Sequence, residues 1–173
     1  MPAMSFPKPA FRTLVASYST DPESVHDCPA IHTKNPVNVN TCAIRMGEAL
    51  VLANGMAESR EAIAALTSRA GDGRGFLLGP FGYPALLCPH GVSRGAHDLA
   101  TFLGQQWGAP TATWKAQASE DAAPDDVQGL FGLVAFIELP GFSGQGHVDL
   151  WDGGAPVGHA YWNAAEICFW ALV

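Results

Sequence analysis

The chain has 173 residues, 48% of them apolar in type, which is enough to bury one core; a single catalytic domain spanning 1–173 is expected. Sixteen acidic against nine basic residues give a net charge of −7, with no basic patch that could follow a phosphate backbone, so no nucleic acid partner is expected. No run approaches the roughly 20 apolar residues of a membrane span, four cysteines are too few for a disulfide scaffold, and the prolines of MPAMSFPKPAFRTL break any secretory signal core, which implies synthesis in the cytoplasm without such an address.

Residues 1–37 carry Pro2, Pro7, Pro9, Pro22, Pro29 and Pro36 and show no sustained period. They read as an extended lead over the surface, with one short helix at 24–26. Cys28 and His32 stand four apart and, with Cys88 and His90, would make a zinc set only without the helix that Pro29 breaks and without a paired CxxC knuckle; no metal or other cofactor is expected. A disulfide from Cys28 fits better, its partner left open.

Next comes NVNTCAIRMGEAL, residues 38–50. Asn40 and Thr41 can accept hydrogen bonds from the first amides of a helix, and Ala43, Met46, Gly47 and Leu50 share one helical face. Cys42 therefore stands on the first turn of a buried helix, where the amides and the helix dipole favour thiolate over thiol. The helix is predicted to run to Ala53, with Asn54 and Gly55 as its stop. A second helix is predicted over 58–69, turning Ala62, Ile63, Ala65 and Leu66 inward. The glycine-rich stretch 71–82 lacks the lysine and hydroxyl residue of a phosphate loop and reads as a connection.

Ser93 is predicted to cap a helix over 94–107, which buries Ala96, Leu99, Ala100, Leu103 and Trp107 and ends at Gly108 and Pro110; His97 falls on its wet side. Residues 115–129, acidic and proline-broken, read as a mobile surface loop, a lid or a partner's handle. The run LFGLVAFIEL, 130–139, predicts a strand covered on both faces. GHVDLW, 146–151, alternates strictly: His147, Asp149 and Trp151 on one face, Val148 and Leu150 on the other. ICFWALV closes the chain as a final strand. Helices first and an antiparallel sheet after make an α+β layout, with a helix expected to dock against the sheet face that carries His147.

That docking would give the thiol a general base: Cys42 attacks, and His147 takes and returns the proton. A third polar group would orient the imidazole, and the sequence offers two, His159 across the hairpin and Asp149 two residues along the same face. The backbone amide of Cys42 would meet the developing oxyanion.

CAIRMGEAL, RGAHDLATFLGQQWGAP, GHVDLWDG and AEICFWAL, in that order and spacing, resemble the cysteine, second-helix, histidine-strand and final-strand blocks of the fourth family of type VI secretion amidase effectors. The resemblance runs from Asn38 to the end. It implies a papain-like fold of the NlpC type, with N-terminal helices on a C-terminal antiparallel sheet, and a bacterial toxin secreted from the cytoplasm by the type VI machinery into a rival's periplasm. There it would cut peptidoglycan stem peptides between D-glutamate and meso-diaminopimelate, and a cognate immunity protein would guard the producer. Cys42 and His147 match the family's nucleophile and base. The family's aspartate, about eleven residues after the histidine, has no counterpart: Gly158 stands there, with His159 adjacent. Histidine is the usual third member in the wider NlpC-type group, so the resemblance carries over His159, with Asp149 in reserve. Two other classes fit the residues: an inactive cell-wall-binding or interaction module on the same fold, and a cysteine acyltransferase.

Overall fold

The apolar run before Pro140 forms an interior strand, and the helices ahead of it in the chain cover one of its faces. The structure is a computed structural model that describes residues 7–25, 41–64 and 92–173. Asn40, the Cys28, His32, Cys88 and His90 set, the glycine-rich 71–82 stretch and the end of the second predicted helix lie outside the described residues. The elements are helices α1 (Phe11–Ser17), α2 (Cys42–Ala53), α3 (Arg60–Ala64) and α4 (Ala96–Trp107), and strands β1 (Ala112–Lys115), β2 (Phe131–Ile137), β3 (Gly146–Asp152) and β4 (Glu166–Ala171). All three strand pairings are antiparallel, in the order β1-β4-β2-β3. No described helix is long and apolar enough to cross a membrane.

The period-2 pattern divides the sheet into two faces. Leu133, Ala135, Ile137, Val148, Leu150 and Trp170 pack with the helices in one core, while Val134, Phe136, Trp151, Ile167 and Phe169 form a second core with Trp162 and Val127. The helices therefore dock on the Val148/Leu150 face, not on the face that carries His147 as the sequence suggested. The cause is apolar area: Val148 and Leu150 offer a continuous greasy surface to α2, whereas His147 and Asp149 do not. Helix α2 is enclosed almost all round, and even its Arg45 and Glu48 are buried. The Glu48 carboxylate meets Arg60 Nε at 3.2 Å, and Arg60 reaches on to the Ser17 carbonyl, tying α1, α2 and α3 together.

Four further expectations are corrected. The lead holds a helix, α1, at 11–17, because Phe11, Leu14 and Val15 form an apolar stripe against α2; Pro22 and Glu23 form a turn, and no helix covers Ser24. Helix α4 begins at Ala96, not at residue 94: the Ser93 hydroxyl is engaged with Gly95, and the N-terminus is capped from across the chain by Gln145, whose Oε1 accepts from the Asp98 amide at 3.0 Å. Strand β1 was too short to read from the sequence. The 115–129 segment lies largely on the surface, as expected, but it is pinned to the second core rather than loose. Its Val127 is fully buried, its Glu120 carbonyl accepts from the Trp162 amide, and its Val127 carbonyl accepts from Trp151 Nε1.

Candidate active site

Helix α2 starts at Cys42 without a side-chain cap. The Thr41 hydroxyl, expected to cap it, instead donates to the Pro22 carbonyl at 2.7 Å and accepts from Arg45 Nε at 3.1 Å. These bonds fix the helix start against the lead segment. The Cys42 Sγ lies 3.8 Å from the carbonyl of Gly146, the first residue of β3. His147 is the next residue of β3, the edge strand, and its ring feels the Cys42 thiol through a hydrogen bond and its charge. Glycine is required at 146: its φ is +138°, and a Cβ would run into the Phe136 carbonyl.

The Nε2 of His147 lies 2.8 Å from Asp149 Oδ2. That carboxylate is almost wholly buried and fully engaged: Oδ1 accepts from the amides of Leu150 (2.8 Å) and Gly158 (2.9 Å), and Oδ2 also accepts from the amide of His159 (2.8 Å). Of the two residues offered for the third position, the structure brings Asp149 to His147. His159 contributes its backbone N–H to Asp149, while its exposed ring lies 4.6 Å from that of Tyr161 and makes no hydrogen bond among the described residues. The expectation of a His159 ring on His147 is thus corrected by strand geometry, since residues two apart on β3 share a face. Gly158 stands at the position where the resemblance would place an aspartate. A Cβ there would meet Asp149 Oδ2 at 2.5 Å, so the carboxylate of residue 149 fills the space that a side chain at 158 would need.

Burial, the largest influence on the His147 ring, opposes its charge, but the hydrogen bonds and charges of Asp149 and Cys42 together outweigh it and raise the pKa to about 9. The imidazole is therefore protonated at neutral pH. Tyr18, whose ring lies 5.8 Å from the Arg45 guanidinium, has its phenol pushed far above the usual range by burial and by the charge of Asp149, so it stays protonated.

A cleft of about 400 Å³ opens on His147. Arg45, Glu120, Phe142, Tyr161 and Asn163 are among the residues that line it. Cys42 is buried, at 2% exposure, and joins the site through its bond to His147. The sequence reading missed Arg45, Glu120 and Asn163. Only Arg45 carried a signal, being one helical turn beyond Cys42 and on the same face. Of the remaining thiols described, Cys168 is free and half-buried, and burial followed by the charge of Glu166 raises it to about 11, which leaves it a poor nucleophile. His97 is exposed, as expected. No cluster of three or more metal-ligating side chains occurs among the described residues.

Comparison with solved structures finds the same fold in the type VI effector Tae4 of Salmonella Typhimurium, in complex with the immunity protein Tai4. The TM-score is 0.62 at 16% identity, over 96% of this chain and 100% of that one. The type VI effector Tae4 of Enterobacter cloacae matches at TM-score 0.62 and 17% identity, over 98% and 100%. The fold is thus the papain-like, NlpC-type α+β arrangement. Comparison with curated protein sequences gave no match. The family model for the type VI secretion system (T6SS) amidase effector protein 4 matches residues 38–170, a span that holds Cys42, His147 and Asp149. With three quarters of its length inside that match, this chain belongs to the family of type VI secretion system amidase effectors of the fourth kind.

Proposed function

We propose that the chain, acting as one catalytic domain over 1–173, is an antibacterial peptidoglycan amidase that hydrolyses the bond between D-glutamate and meso-diaminopimelate in stem peptides. The observation that carries the reading is the hydrogen-bonded chain Cys42–His147–Asp149 beside an open cleft. The Cys42 sulfur stands at the N-terminus of α2, beside the ring of His147. The thiolate attacks the γ-carbonyl of D-glutamate, and the oxyanion is met by the Cys42 amide. His147 then gives its proton to the departing diaminopimelate amine, leaving a thioester on Cys42; it next takes a proton from the water that hydrolyses this thioester. Asp149 holds the ring in place and stabilises its charge. Delivery by the type VI machinery into the periplasm of a target cell, and protection of the producer by a cognate immunity protein, complete the proposal; the effector–immunity complexes of the same fold support the latter.

The test is to incubate the purified chain with Gram-negative sacculi and identify the fragments by mass. Release of diaminopimelate-bearing peptides with a new free amine is expected, and it should vanish in Cys42→Ala and His147→Ala proteins that keep the native circular dichroism. Equal release by either variant would refute the mechanism.

A further inference from the structure

The cleft beside His147 is lined by groups of opposite charge. On the helix side, Arg45 is buried at 7% exposure, and among the described residues no carboxylate pairs with it. Its guanidinium is fixed by the Thr41 hydroxyl at 3.1 Å and by the Ser19 carbonyl, which accepts from Nη1 at 2.8 Å. It also lies 5.8 Å from the Tyr18 ring; a buried cation held by a ring and two neutral acceptors, with no carboxylate beside it among the described residues, offers its charge to an anion from outside the chain. Another wall shows the reverse. Asn163 has a buried Oδ1 that accepts no hydrogen bond among the described residues, and Glu120 brings a carboxylate to the same cleft. The two belong together locally, because the Glu120 carbonyl accepts from the amide of Trp162, the neighbour of Asn163. The Glu120 charge is felt there too: after burial, it is the next cause that raises the Tyr161 phenol. Two acceptors, one of them charged, call for an ammonium donor.

We infer that this cleft is a subsite for a zwitterion, with Glu120 and Asn163 binding an ammonium and Arg45 binding the carboxylate of the same amino-acid residue. A volume of about 400 Å³ suits one such residue together with the flanking peptide. The inference rests on the proposed amidase reading for its ligand: the side chain of diaminopimelate ends in an ammonium and a carboxylate on one carbon. Glu120 and Asn163 are binding residues in this scheme and do not touch the reacting atoms.

The test measures equilibrium binding to the Cys42→Ala protein by calorimetry. The probes are γ-D-glutamyl-diaminopimelate, the same dipeptide acetylated on its distal amine, and the same dipeptide amidated on its distal carboxylate. Each modification is expected to weaken binding at least tenfold. In Glu120→Gln and Asn163→Leu proteins the preference for the free amine over the acetylated form should shrink to within about threefold, while the penalty for amidation persists. The three ligands already test the idea without any change at the cleft, so a variant that fails to fold does not decide the matter. Equal binding of all three ligands, binding of none, or an unchanged amine preference in Glu120→Gln would overturn the inference. Sacculus digestion by the native chain is read separately. A chain that cuts sacculi but binds the three dipeptides alike loses only the zwitterion subsite, and one that discriminates among them but cuts nothing loses only the amidase.

Discussion

Replacing Asp149 with asparagine tests the arrangement at its most constrained point. The carboxylate faces four N–H groups, those of the His147 ring and of the Leu150, Gly158 and His159 backbone, and its two oxygens accept from all of them at 2.8 to 2.9 Å. Asparagine has the same shape but one acceptor oxygen, so its amide nitrogen must confront two of those donors. Each buried donor left without an acceptor costs about 1–3 kcal/mol, giving a loss of roughly 2–6 kcal/mol in all. In a chain of this size that corresponds to a fall in Tm of about 5–20 °C. Loss of the negative charge behind the imidazole should also lower turnover by about 10⁴-fold, the scale seen when a triad carboxylate is neutralised. His159→Ala is the matched control. It keeps the backbone N–H that Asp149 uses and removes only a ring resting on Tyr161, so Tm should move by less than about 3 °C and turnover by less than about threefold. Calorimetry together with hydrolysis of a soluble stem peptide by both variants reads the two effects. If His159→Ala proved as damaging as Asp149→Asn, or if Asp149→Asn kept native turnover, the assignment of Asp149 as the orienting residue would be wrong.

Two further outcomes follow from the same geometry. His147 holds its proton more tightly in the folded chain than an ordinary imidazole, with a pKa of about 9 against 6.5, so its contribution to stability is complete below about pH 6.5 and is lost as pH rises through about 9; a shift of that size corresponds to about 3 kcal/mol at most. Thermal melts should show Tm falling across that window in the native chain and a flatter profile in His147→Gln, and parallel profiles would count against the charged ring. Gly158→Ala places a methyl against Asp149 Oδ2 and should push the carboxylate off His147, lowering kcat by roughly 10–100-fold. Gly154→Ala, whose nearest neighbour would be Gln128 Oε1 at 3.6 Å, should be close to native, and equal activity of the two variants would show that the carboxylate tolerates displacement.

Local pattern was enough to locate the proposed reacting groups along the chain. The helix from Cys42 to Ala53 and its stop at Gly55 follow from helical spacing and glycine's access to positive φ, and strict alternation in 146–151 puts His147 and Asp149 on one face whatever the strand packs against. Those are short-range consequences of backbone geometry, so the sequence by itself determined them. Which face of β3 the helices cover, and hence which side of that strand Cys42 comes from, depended on which apolar surfaces could be buried together, a competition among segments far apart in the chain. The same holds for the third residue. Sequence spacing cannot tell whether position 159 offers its ring or its backbone N–H, and only the packed turn at Gly158, with room for one carboxylate and no side chain of its own, made Asp149 the partner of His147.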